Sequence, residues 1–271
     1  MHATTSPTKG SPCPGLVIRI YGDSLSMPRD TEQISPWQTY PELLIAALAS
    51  NIPGKKFYLY NRSTGGATID ILYDSYINDC SYFGLKKSQI IIIQCGVVDC
   101  APRPIPKKTR NLLGKLHGRI RTPISKFLHL LRPLLLGSGI FWRLTDEGQF
   151  STLLSRWLDH AEHNYNHVYV INIAPTTRAT SSHSPGLEDS INSYNELIKS
   201  AVGKRTGVSL IDANSVISKS NGIEDFIAKS DGHHINMRGH RLYADLITQL
   251  EITRLKNCIH PGQVQTETTL K

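Results

Sequence analysis

Residues 16–25 read LVIRIYGDSL, a mostly apolar run that leads directly into Gly-Asp-Ser-Leu. A short apolar run followed by turn-forming residues predicts a strand that ends near Gly22. In sheets of parallel strands, ligands bind at the edge where the strands end. The sequence therefore predicts that the hydroxyl of Ser24 lies at the ligand-binding edge of a sheet.

Strand-like and helix-like segments alternate along the rest of the chain. The predicted strands are 16–21, 56–60, 89–95, 167–173 and 207–211, and the predicted helices are about 36–50, 69–80, 186–203 and 237–254. This alternation predicts a three-layer α/β/α fold, in which helices cover both faces of a five-stranded parallel sheet. Gly66 and Val98 also follow predicted strands, so both are expected at the same edge as Ser24.

A second polar motif, Asp231-Gly232-His233-His234, precedes the last predicted helix. A serine hydroxyl is a poor nucleophile until a base removes its proton. An Asp three residues before a His can share its turn and hold the imidazole in one tautomer. The sequence thus predicts Ser24 as nucleophile, His234 as base and Asp231 as the residue that orients the base.

These motifs resemble those of the SGNH/GDSL hydrolase family. The first family motif matches at residues 22–25, the second at residues 61–68 and the fifth at residues 231–236. The resemblance implies a flavodoxin-like fold and ester hydrolysis, or acyl transfer, without an organic cofactor. It also implies that the backbone N–H groups of Ser24 and Gly66 stabilise the oxyanion.

The third motif departs from the family pattern, Gly-x-Asn-Asp. Here residues 96–99 read GVVD, so the family's oxyanion-donating Asn falls on Val98, which has no donor. Loss of one such donor typically costs about 10²–10³ in turnover. Gln94 and Arg103 are candidate substitutes by proximity in sequence; the alternatives are a strand-capping Gln and a solvated Arg.

Arg29 and Arg103 follow the first and third motifs and are candidate substrate-binding residues, since arginine pairs well with carboxylates and phosphates. Ordinary loop salt bridges are the alternative. Residues 26–29 (SMPR) and 98–103 (VDCAPR) together resemble a subgroup associated with bacterial surface-polysaccharide synthesis. This resemblance favours a small O-acetyl ester on a sugar.

Two other functions remain open at this point. One is a lipid or lysophospholipid esterase, or an acyltransferase, at a membrane surface. The other is a non-hydrolytic binding or assembly component of a glycan pathway, which the loss of the family Asn at Val98 favours and the intact Ser24, His234 and Asp231 disfavour.

The segment 101–166 exceeds the single crossover helix that the fold requires between the third and fourth strands. The net charge of the chain is +8, and residues 101–145 alone carry ten basic side chains and no Asp or Glu. The basic residues are Arg103, Lys107, Lys108, Arg110, Lys115, Arg119, Arg121, Lys126, Arg132 and Arg143. The same segment is rich in Leu, Ile and Phe, which predicts an amphipathic helical insertion.

Three interpretations of this insertion compete. In the first, it is a helical pair that packs on the sheet with its basic face in water. In the second, it is an interfacial helix on an anionic membrane. In the third, it is a lid that binds an anionic polymer or substrate. Nucleic acid is not predicted as a partner, because no nucleic-acid motif is present and aromatic residues make up only 7% of the chain. The sequence does not indicate an oligomeric state.

Residues 1–15 are polar and predict a flexible tail ahead of a domain spanning 16–271. They lack the apolar core of a secretory signal, and five cysteines without metal-like spacing predict reduced thiols. A cytoplasmic protein is therefore expected, with peripheral attachment to the inner membrane as an alternative. His233 and His234 are adjacent, but their side chains are expected to diverge, so no metal site is predicted.

Overall fold

Five parallel strands form the sheet in a computed structural model that describes residues 15–83, 89–220 and 222–259. The strands are β1 (Leu16–Gly22), β2 (Phe57–Asn61), β3 (Gln89–Gln94), β4 (His167–Ile171) and β5 (Val208–Ile211). Their order is β2-β1-β3-β4-β5, and every neighbouring pair is parallel. The predicted fold class is confirmed, and each predicted strand lies within two residues of an observed one.

Helices cover both faces of the sheet. They are α1 (Tyr40–Asn51), α2 (Ile69–Phe83), α3 (Val97–Cys100), α4 (Lys107–Gly114), α5 (Gly118–Leu130), α6 (Arg132–Gly137), α7 (Glu147–Asn164), α8 (Arg178–His183), α9 (Leu187–Gly203), α10 (Ala213–Ser218) and α11 (Met237–Ile259). The predicted helix at 36–50 starts later, because Thr39 has an extended backbone and separates α1 from a 3₁₀ turn at Pro36–Gln38.

Two apolar cores lie on opposite faces of the sheet. Ile91 and Ile93 of β3 belong to the core with α2, α7 and α9, whereas Ile90 and Ile92 belong to the core with α1 and α11. This division explains why β3 reads as a continuous apolar run, since a central parallel strand is covered on both sides. Cys95 and Cys100 are free and buried, as expected for small apolar core residues.

The crossover between β3 and β4 is made by α7, whose Phe150, Leu154 and Trp157 are fully buried. Helices α4 to α6 are therefore the part of residues 101–166 that is added to the minimal fold. None of the residues described in α5 is buried, and α6 buries Leu136. The insertion thus packs mainly through α6, beside α8.

Large apolar side chains remain exposed on the insertion. They are Leu112, Ile120, Phe127, Leu130, Leu134, Ile140 and Trp142. The interpretation in which this apolar face packs on the sheet does not describe α5. Within residues 15–83, 89–220 and 222–259, no helix has the length and hydropathy needed to cross a bilayer. The predicted tail, apart from Gly15, lies outside the described residues.

Candidate active site

Ser24 lies in a 3₁₀ turn, Ser24–Ser26, directly after β1. Its Oγ is 2.8 Å from Nε2 of His234, and Nδ1 of His234 is 2.8 Å from Oδ2 of Asp231. An ionised carboxylate only accepts hydrogen bonds, so Nδ1 of His234 donates and Nε2 accepts from the serine hydroxyl. The structure therefore brings the three predicted residues into one chain of hydrogen bonds.

The turn that holds Asp231 and His234 is fixed by its backbone. Oδ1 of Asp231 accepts from the N–H groups of His233 and His234, each at 3.1 Å. Gly232 has φ +68°, and a Cβ there would lie 2.0 Å from Oγ1 of Thr180. Thr180 in turn donates to the carbonyl oxygen of Asp231 at 2.9 Å. Helix α8, which carries Thr180, thus packs against the turn and stabilises it.

Asp231 is held in its ionised form. Burial acts to raise the pKa of its carboxyl group, but hydrogen bonds from the His234 side chain and from the backbone N–H groups of His234 and His233 lower the pKa well below its ordinary value. Arg29 donates to the same Oδ2 atom from Nη2 at 2.6 Å. Of the two interpretations of Arg29, the loop salt bridge is the one that the geometry matches.

A cavity of about 580 Å³ opens beside Ser24. The insertion supplies part of its wall through His129 and Arg132, and Arg103 lines it as well. Lys229 adds a further cationic side chain, whereas Asp231 is the one acidic residue of the lining. The candidate substrate-binding residue Arg103 thus lies at the site, and Arg29 is bonded to Asp231 instead.

The adjacent histidines do not diverge as expected. The ring centroids of His233 and His234 are 4.2 Å apart, and ligand-type atoms of both residues and Asp231 lie within 4.8 Å of one another. The expectation of divergence was wrong because both rings turn toward the same carboxylate. Both nitrogens of His234 are already hydrogen-bonded, to Ser24 and Asp231, which is the arrangement of a proton relay.

The sequence profile of the GDSL-like Lipase/Acylhydrolase family matches residues 20–242. The chain belongs to this family. It is accordingly an acylhydrolase by family, which confirms the resemblance drawn from the motifs and the predicted enzyme class. The resemblance to a polysaccharide-associated subgroup stays a prediction. A search of curated protein sequences finds no match.

Solved structures of GDSL and related hydrolases share the fold. The lipase/acylhydrolase from Enterococcus faecalis aligns with a TM-score of 0.56 at 15% identity, over 88% of this chain and 96% of that one. The acetylxylan esterase Axe2 from Geobacillus stearothermophilus aligns with a TM-score of 0.56 at 13% identity, over 86% and 92%. LAE5, an alpha/beta hydrolase from the metagenome of Lake Arreo, Spain, aligns with a TM-score of 0.57 at 16% identity, over 86% and 93%.

The predicted oxyanion donors of this acylhydrolase are available. Among the described residues, no group accepts a hydrogen bond from the backbone N–H of Ser24 or of Gly66. Gly66 is exposed, and its φ of +71° is a conformation that favours glycine. Asp99 anchors the end of this loop, because its carboxylate accepts from the N–H of Ile69 at 3.1 and 3.2 Å.

The family Asn is replaced by an apolar side chain, and Val98 lines the cavity beside Ser24. Gln94 does not take over its role, because Gln94 is buried, donates to Asp23 at 2.9 Å and accepts from Ser26 at 2.9 Å. The suggestion that Gln94 replaces the missing donor was therefore wrong. Arg103 lies in the cavity and remains the candidate substitute.

Sequence reasoning missed the part of the cavity wall built by Arg132, His183 and Lys229. These residues lie far apart in the chain, and only Arg132 belongs to a segment whose charge attracts notice. The absence of acidic residues in 101–145 was the available signal, because it shows that the charges of this segment have no acidic partner within it.

Proposed function

We propose that this acylhydrolase acts on a carbohydrate that carries a small acyl group, namely an O-acetyl group, which it removes or transfers to another acceptor. Ser24, His234 and Asp231 perform the reaction. The observation that supports the proposal most directly is the unbroken relay from Ser24 to Asp231, with 2.8 Å at each of its two steps. The relay opens on a cavity that is lined by Arg103, Arg132 and Lys229 and by several serine and threonine hydroxyls, which can hydrogen-bond a hydroxyl-rich substrate.

The reaction has two halves. His234 removes the proton of Ser24 as Oγ attacks the ester carbonyl, and the N–H groups of Ser24 and Gly66 hold the oxyanion. His234 then protonates the leaving alcohol, and the acyl group remains on Ser24 as an ester. Water, or a second alcohol, attacks that ester, and His234 accepts the proton of the attacking hydroxyl. His234 then returns a proton to Oγ as the acyl group leaves, so Ser24 regains its hydroxyl. Asp231 stays ionised and orients the imidazole throughout.

Two observations support a sugar acetate as the substrate. The motif residues 26–29 and 98–103 resemble those of polysaccharide-associated members, and one structural neighbour of the chain is an acetylxylan esterase. Both concern other proteins, so the choice of substrate is tested on this chain directly.

The test compares hydrolysis of p-nitrophenyl acetate, butyrate and octanoate by the wild type and by Ser24→Ala. We expect turnover of the acetate that the substitution abolishes, with rates that fall as the acyl chain lengthens. Faster turnover of the octanoate would overturn the small-acyl assignment in favour of a lipid ester. If neither turnover nor labelling of Ser24 by a fluorophosphonate probe is seen, the chain is better described as a binding component of a glycan pathway.

A second candidate, a lipid esterase or acyltransferase at a membrane surface, is favoured by the exposed apolar side chains of the insertion. Phe127, Leu130 and Leu134 are 60%, 74% and 72% exposed, and basic residues accompany them. Leu and Phe beside Lys and Arg are typical of interfacial helices. Under this proposal the protein attaches peripherally to the anionic inner face of a membrane.

Sedimentation with vesicles containing phosphatidylglycerol tests the attachment. The wild type should sediment at low salt and be released at high salt, and Phe127→Ser with Leu130→Ser should weaken sedimentation. A matched control is Val216→Ser, which changes an exposed apolar residue outside the insertion. Absence of sedimentation at low salt would refute the attachment.

A further inference from the structure

The cavity beside Ser24 adjoins another cavity that is lined by the insertion. A second cavity of about 310 Å³ shares Arg103, His129 and Arg132 with the first and adds Arg110 and Arg121 to its walls. No Asp or Glu of the described part of the chain lines this second cavity. We call the two together the arginine cleft. Four arginines therefore line two adjoining cavities, and Arg103 and Arg132 line the one that reaches the proposed nucleophile.

These arginines have no internal counter-charge. Among the residues that the structure describes, none of Arg103, Arg110, Arg121 and Arg132 forms an ion pair with a carboxylate. Their segment contains no acidic residue at all. The cluster is thus unlike a structural ion-pair network, in which basic side chains are matched by acidic ones.

Neutral groups fix the side chain of one of these arginines and the backbone of another. Arg132 donates from Nε to Oγ of Ser184 and from Nη2 to the carbonyl oxygen of Pro102, both at 2.7 Å. The backbone of Arg103 exchanges two hydrogen bonds with that of Trp142, at 2.8 and 3.0 Å, and its buried Nε has no partner among the described residues. Neutral groups therefore position the guanidinium of Arg132 and the backbone of Arg103 without neutralising either charge.

Burying these charges without a counter-charge costs free energy. Burial lowers the pKa of Arg103 to about 10, and the like charges of Arg110 and Arg132 add to this effect. Burial also lowers the pKa of Arg132. An anion bound between these groups would offset both costs, because charge-assisted hydrogen bonds to arginine are strong and geometrically specific.

We propose that the arginine cleft binds a phosphate group on the alcohol part of the ester, so that the substrate is an acyl ester of a phosphorylated sugar. A single carboxylate engages one arginine in a bidentate pair, whereas a phosphate offers three oxygens and up to two charges to several arginines. The proposal names the substrate class of the Ser24 site and so rests on the proposed function.

The test measures binding, which does not require turnover. Isothermal titration calorimetry is run on the full chain with inorganic phosphate, glucose 6-phosphate and glucuronate as probes. We expect glucose 6-phosphate to bind more tightly than glucuronate. Arg103→Gln and Arg110→Gln should each raise its Kd roughly tenfold or more, since each removes a charge-assisted hydrogen bond to the phosphate.

Arg119→Gln is the matched control, because Arg119 is an exposed arginine of the same insertion that lines neither cavity. The Kd of Arg119→Gln for glucose 6-phosphate should differ from that of the wild type by less than twofold. Arg110 is itself exposed, so its substitution tests the cleft even if Arg103→Gln fails to fold.

Three results would overturn the proposal: no binding of glucose 6-phosphate or inorganic phosphate, tighter binding of glucuronate, or a Kd that neither cleft substitution raises. A phosphate supplied by a lipid headgroup would instead make vesicle sedimentation depend on Arg103 and Arg110. Phosphate binding without Ser24-dependent turnover would support the cleft and refute the proposed hydrolysis, so the two failures are distinguishable.

Discussion

Replacing Asp23 by Asn should change how the stability of the protein depends on pH. Asp23 is completely buried, and its Oδ1 accepts from the N–H of Leu25 and from Nε2 of Gln94, each at 2.9 Å. Its Oδ2 has no hydrogen-bond partner among the residues that the structure describes. An Asn retains the Oδ1 acceptor, so the substitution removes the charge while leaving both hydrogen bonds in place.

The magnitude follows from the carboxyl pKa. Burial raises the pKa of Asp23 from 3.8 to about 6. The unfolded chain therefore releases this proton near pH 4, whereas the folded protein keeps it until about pH 6. Folding takes up a proton in between, so the contribution of Asp23 to stability falls as pH rises through this window. At 1.36 kcal/mol per pKa unit, the full loss of folding stability is about 3 kcal/mol, and roughly half of this loss occurs between pH 5 and pH 8.

Urea unfolding of the wild type and of Asp23→Asn at several pH values between 5 and 8 measures the effect. Between pH 5 and pH 8, the free energy of unfolding of the variant should rise by about 1.5 kcal/mol relative to that of the wild type. Any pH-independent cost of burying the Asn amide shifts the whole curve and leaves this difference unchanged. Asp99, whose pKa burial also raises to about 6, titrates in both proteins and cancels. Parallel stability curves would refute the reasoning.

Three further predictions concern the geometry of the site. Arg29→Gln should lower kcat for p-nitrophenyl acetate roughly tenfold with little change in KM, because the ion pair with Arg29 holds Asp231 in position. Arg29→Lys should restore part of the loss, and an unchanged kcat would argue against this role. Val98→Asn should raise ester hydrolysis by about tenfold or more by restoring an oxyanion donor, and unchanged or lower activity would mean that the site is built around Val98. Gly232→Ala should destabilise the protein by roughly 2 kcal/mol in urea unfolding, since its φ is +68° and the new Cβ meets Thr180; wild-type stability would contradict this.

The sheet was predictable because its strands carry their own signals. The apolar runs of β1 and β3 lie between turn-forming residues, and each needs only its local sequence to be recognised. The relay was predictable for a related reason, since Ser24 directly follows a strand and Asp231 and His234 share one turn. The 210 residues between Ser24 and His234 did not obscure the pairing, because parallel topology collects strand ends at one edge.

The remaining features depend on contacts that no local pattern reveals. Arg29 reaches Asp231 across 202 residues of sequence, and nothing near Arg29 distinguishes that ion pair from a substrate contact. The same holds for Arg132, whose position depends on Ser184 and Pro102. The composition of 101–145 predicted an amphipathic insertion, but the direction in which each charge points is decided by tertiary packing.

The structure divides the basic residues of the insertion between the arginine cleft and the surface outside it. Four of its ten basic residues line the arginine cleft, and Arg143 pairs with Glu147 at 3.1 Å. Lys108, Lys115, Arg119 and Lys126 are exposed on the same insertion as Phe127 and Leu130 but line neither cavity.

The proposed membrane attachment and the proposed anion binding therefore depend on different residues, and we expect that each can be lost without the other. Each exposed basic residue near an anionic surface contributes about 1 kcal/mol, so Lys108→Gln combined with Lys126→Gln should weaken vesicle sedimentation and leave the Kd for glucose 6-phosphate unchanged. Arg110→Gln should do the reverse. If one substitution set altered both readouts, the insertion would act as a single electrostatic surface, and the assignment of a distinct substrate cleft would fail.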